Sequence, residues 1–103
     1  MTTIPLPQHF DTRAAAALAP DLRVALADGG NAAIVLDGGP VERIGQAGLQ
    51  LLVSARRTAD AAGRPLSIEP ASAAMRAAAA LTGADAVLWS DAELLPEGNR
   101  DAA

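Results

Sequence analysis

The chain of 103 residues has no cysteine, no lysine, one histidine, one tryptophan and one phenylalanine. Without cysteine there is no disulfide and no thiolate zinc site. Without lysine the phosphate-loop, Schiff-base and receiver-domain lysines are all excluded. A triad built on histidine would have to use His9, which stands beside Pro7 and Phe10 with no partner for acid–base work in its motif. Ser54, Ser67, Ser72 and Ser90 lie in no nucleophile-elbow sequence. No apolar run approaches membrane-spanning length. Met1-Thr2-Thr3-Ile4-Pro5 lacks the basic and apolar regions of a signal peptide, so the expectation is a cytoplasmic protein without direct membrane insertion.

What the chain has in quantity is alanine, within a hydrophobic fraction of 50%. Alanine fills close gaps between helices and sheets but buries little area, so a thin core is expected. The net charge of −4 and the scattered arginines argue against an electrostatic nucleic-acid footprint. The length fits one domain, 1–103, with a polar, frayed tail from 96 to 103.

Ile4–Leu6 reads as a short edge strand, because Pro5 and Pro7 remove ladder donors. Asp11 or Thr12 caps an alanine-rich helix whose buried side carries Leu18, Leu22 and Leu26; Pro20 predicts a kink or two short helices, and Asp28-Gly29-Gly30-Asn31 ends the segment. Ala32–Leu36 is a continuous apolar run, as in a buried central strand, followed by a loop, Asp37-Gly38-Gly39-Pro40. A second helix runs from Gln46 to Ala62 with Gly63 past its end, a strand covers Pro65–Glu69, and Ser72 caps a third helix, Ala73–Thr82, closed by Gly83. Ala86–Trp89 is a final short strand or turn. This alternation predicts an α/β fold: a small, mainly parallel sheet with helices packed on one face.

On the second helix, about 100° of rotation per residue divides the side chains. Gly48, Leu51, Leu52, Ala55, Ala59 and Ala62 form a small apolar side expected to face the sheet. Gln46, Leu49, Gln50, Val53, Arg57 and Asp60 form the other side, which is either an ordinary solvated face or a partner-binding one. Asp37 ends the central strand, where open parallel sheets place functional groups; its carboxylate equally suits a cap on amides of the following glycine loop.

The segment Ala33-Ile34-Val35-Leu36-Asp37, followed by Val41-Glu42-Arg43-Ile44-Gly45-Gln46-Ala47-Gly48-Leu49-Gln50-Leu51-Leu52, resembles the centre of STAS domains, the sulfate-transporter and anti-sigma-factor-antagonist modules. Gly63-Arg64-Pro65-Leu66-Ser67-Ile68 and Ala80-Leu81-Thr82-Gly83-Ala84-Asp85 extend the likeness over most of residues 4–89. The family motif places Asp and then a phosphorylated Ser or Thr before Gly-Leu; here those positions hold Gly45 and Gln46, so the modified hydroxyl is absent. A Gly in place of that Asp, with Leu49-Gln50 following, resembles short STAS proteins found with bacterial chemotaxis genes. The resemblance implies a stand-alone bacterial, non-enzymatic module without cofactor or metal. Its partner would be another protein, whether an anti-sigma kinase-like protein, a chemotaxis component or, alternatively, a phospholipid-transport ATPase. The residues expected to meet it are Asp37, Arg43, Gln46, Leu49, Gln50, Val53 and Arg57.

Overall fold

A computed structural model describes residues 2–28 and 32–89. The elements are β1 (Thr2–Pro5), β2 (His9–Phe10), α1 (Thr12–Ala27), β3 (Ile34–Gly38), β4 (Arg43–Ile44), α2 (Gln46–Ala62), β5 (Leu66–Ala71), α3 (Ala73–Thr82) and α4 (Asp85–Leu88). The main sheet is parallel with order β1-β3-β5, so the apolar run does form the central strand, though it starts at Ile34 and extends through Asp37 and Gly38. Right-handed crossovers between successive parallel neighbours set α1 and α2 on the same face of the sheet, where they pack side by side. A second, two-residue parallel pairing, β2 with β4, sits at the start of α2.

Alternation along β3 and β5 aims Ile34, Leu36, Leu66 and Ile68 into the core, while Val35 and Ser67 stay half-buried on the opposite face. Phe10, Val41, Leu52, Met75 and Leu88 are enclosed with them. Asp11 is the cap of α1, with its carboxylate accepting from Ala14 N at 2.9 Å, and the Ser72 hydroxyl accepts from Met75 N at 3.1 Å. At the other end of α2, Gly63 takes φ +69°, the left-handed value that closes a helix with little strain only for glycine.

Three expectations need correction. Of the two outcomes expected at Pro20, the pair of short helices is not found: α1 is one helix, and Pro20 and Ala16, whose carbonyl loses its partner, both lie on the exposed side. Ala86–Trp89 is not a strand: the chain turns at Gly83 and winds one helical turn, α4, that carries Leu88 and Trp89 into the core. Ala62, the last residue of α2, is exposed, and Leu51 is only half-buried because it turns toward α1. Residues 29–31 and the tail at 96–103 lie outside the described residues.

The two edges of the sheet end differently. Ile34 N donates to Pro65 O, so in the alternating ladder Leu66 and Ile68 direct their carbonyls away from β3. Side chains meet both: Arg56 Nη1 donates to Leu66 O at 2.7 Å and Trp89 Nε1 to Ile68 O at 3.0 Å. Arg56 Nη2 also reaches Leu88 O at 2.8 Å, tying α2, β5 and α4 together. On the far side Thr2 N and Leu6 N bond to β3, which leaves Thr3 and Pro5 at the free edge, and Pro5 has no N–H to offer.

Candidate functional site

The start of α2 is fixed by its packing and not by a side-chain cap. Gly45 occupies the cap position with extended backbone and no side-chain hydrogen bond. Its N–H donates to Phe10 O at 3.0 Å, which ties the helix entrance to β2. Three residues on, a Cβ at Gly48 would stand 2.9 Å from both Phe10 Cγ and Phe10 O, so glycine is what lets α2 approach β2 this closely. The loop before the helix is pinned as well: Val41 is buried and donates to Gly38 O at 3.2 Å, and Glu42 N donates to Gln8 O at 2.8 Å.

Along the outer side of α2 lies a groove of about 620 Å³. One wall is α2, from Gln46 to Thr58; the other is Thr82, Gly83, Ala84 and Val87, from the end of α3 through α4. Five of the seven residues singled out from the sequence line it: Gln46, Leu49, Gln50, Val53 and Arg57. Gln46, Gln50 and Arg57 are exposed. Leu49 is only 5% exposed and Val53 half-buried, so these two form a floor that also belongs to the core, and the expectation of a fully outward Leu49 is corrected. The reason is the second wall: α4 packs on α2 and covers the side chains that point its way.

The other two residues fall outside the groove. Arg43 is exposed on β4 and lines a separate hollow of about 190 Å³ with His9, Phe10, Asp11 and Gly45. Asp37, at the end of β3, accepts from Gly39 N at 3.0 Å through Oδ1, which is the turn-capping role. Arg57 and its neighbour Arg56 have opposite fates. Arg56 is committed to two carbonyls, whereas Arg57 projects into the groove. The second wall, and the anchoring by Arg56 and Trp89, were not read from the sequence. Gly83 marked the turn, but nothing local indicates that the turn stands across from Val53.

No group of three or more histidine or acidic side chains able to hold a metal occurs among the described residues, and no helix there is long and apolar enough to cross a membrane. A groove with an apolar floor and a rim of amides, hydroxyls and one arginine is suited to holding a macromolecular surface, and it brings together no acid–base or nucleophilic pair.

The fold and this helix define a class: a small parallel α/β module with helices on one face and a glycine-set helix entrance after its central strand. The family described as Mlab, STAS domain matches residues 2–96, and the chain belongs to that family. STAS domains are interaction modules, generally without enzymatic activity. No curated protein matches the chain. No solved structure matches it.

Proposed function

We propose that this chain is a non-enzymatic, protein-binding regulatory module in bacterial signalling, of the anti-sigma-factor-antagonist or chemotaxis-associated kind. Its partner docks along the α2 groove. The observation that supports this most is the convergence of Gln46, Gln50 and Arg57 as a polar rim around Leu49 and Val53, facing the wall made by Gly83, Ala84 and Val87. An apolar centre with a polar rim is the ordinary layout of an interface. Arg43 and the loop from Asp37 extend the docking surface beside the helix start.

The module is not switched at the position where the family is phosphorylated. Gln46 offers an amide there, and a phosphoryl group of about −2 charge needs a hydroxyl. Control therefore rests with partner availability or another site.

The test begins with a pull-down from the native host and mass spectrometry of the recovered partner. Calorimetric titration then compares the parent chain with Arg57→Glu and Gln50→Glu. Each exposed change should move stability by about 0.5 kcal/mol or less and weaken binding by about 1 kcal/mol or more if the residue lies in the interface. Unchanged affinity in both variants, with intact melts, places the interface elsewhere. Recovery of a phospholipid-transport ATPase instead of a signalling protein would move the chain to the alternative role of a small bracing subunit.

A further inference from the structure

On the opposite flank of α2, the furrow it forms with α1 makes a second hollow of about 580 Å³. Its floor and sides are mostly apolar, with Leu22, Leu26 and Leu51 the large side chains. Ala19, Ala27 and Ala55 keep it shallow enough for another backbone to come close. Arg23 is the one charged residue lining it, on a chain whose net charge is −4. Ser54 and Thr58 line this furrow and the α2 groove alike, so they form a crest from which a partner on one side reaches the other.

We propose that the α1–α2 furrow is a second docking site, and that its occupant is an amphipathic helix of another protein carrying carboxylates beside its apolar stripe. This inference rests on the reading that the chain works by binding a protein across α2. The furrow's α1 side runs from Ala19 to Ala27, about 12 Å of helix, which matches about two turns of a docked helix. Such a helix presents apolar anchors at i, i+3 or i+4, and i+7 to a hollow of this length. Its carboxylates meet Arg23, whose neighbours in the furrow are apolar or hydroxylic, so the pairing has no competing acid within the lining. The charge pattern also argues against a second copy. Asp21 of α1 and Asp28, which follows it, line a different hollow beside β1, together with Val24. A twofold dimer whose axis passes beside Arg23 would therefore oppose Arg23 to Arg23, and one centred elsewhere in the furrow would offer it no acid from this lining.

The experiment is photo-crosslinking of the full chain in its native host, with p-benzoylphenylalanine placed singly at Ala27, Gln50 or Val24. Ala27 reports the furrow and Gln50 the groove; Val24, which is 73% exposed and outside both, is the control. The expected result is a crosslink at Ala27, mapped by mass spectrometry to an acidic helical segment of another protein. Arg23→Glu should lower its yield by about tenfold or more, the size expected of an arginine at the centre of an interface, while Arg13→Glu leaves it unchanged. Crosslinks from Ala27 to a second copy or to a basic segment overturn the inference. So does an Ala27 signal no stronger than that of Val24 while Gln50 still crosslinks, an outcome that leaves the function proposed above standing. Silence at both Ala27 and Gln50 removes the two together.

Discussion

The inner and outer sides of α2 are built from different residue types and do different work. Inside, Gly48, Leu52, Ala55 and Ala59 are buried against β2, β4 and α1, and the spacing is set by how little side chain they carry. Outside, Gln46, Gln50 and Arg57 are exposed along a groove, and Ser54 and Thr58 stand on a crest between two hollows. The inner side tolerates one shape. Apart from Leu49 and Val53, which belong to the core as well, the outer side is indifferent to shape as far as folding goes, so its exposed residues are open to selection by whatever docks there.

Substitutions rank the two sides. The largest effect is expected for Leu52→Ala, which empties a fully buried position and should cost about 2–5 kcal/mol in a denaturant or thermal melt. A cost under half a unit of that scale would show that Leu52 is not enclosed. Next comes overpacking: Ala59→Leu, at 0% exposure, and Ala55→Leu, at 4%, should each lose about 1–3 kcal/mol. Melts matching the parent would mean that the inner side is misassigned. The smallest change sharpens the contrast at the boundary. Gly45 caps α2 without a side chain, and a Cβ there meets nothing within 4 Å. Gly45→Ser should therefore stabilise the chain by a few tenths of a kcal/mol, about the usual advantage of serine over glycine at this position. A loss of stability would show that Gly45 is needed for the turn itself.

Much of this was legible before any coordinates. The Ala–Ile–Val–Leu run reads as a central strand, and Ser72, Gly63 and Gly83 are helix punctuation with a local cause. The side of α2 holding Gly48, Leu52, Ala55 and Ala59 follows from helical rotation alone. What remained hidden depends on contacts distant in sequence. Leu49 reads as outward by rotation and becomes floor only because α4 arrives from 36 or more residues later. Val87 and Leu88 have strand-forming composition, but Gly83 and the burial of Leu88 and Trp89 favour a single helical turn. Arg56 and Arg57 are indistinguishable as letters. Rotation places Arg57 on the outer side, but only the outward carbonyls of Leu66 and Leu88 show that Arg56 is structural.

Trp89, the only tryptophan in a chain with no tyrosine, has a further consequence. It is 2% exposed, its indole N–H holds Ile68 O, and the Arg76 guanidinium sits 4.8 Å from its ring centre. The near-ultraviolet emission of the molecule is therefore a one-residue signal from the outer edge of β5. Loss of that closure shifts the light to the red even while α1 and β1 stay folded, so emission compared with far-ultraviolet dichroism separates opening of the last segment from unfolding of the whole.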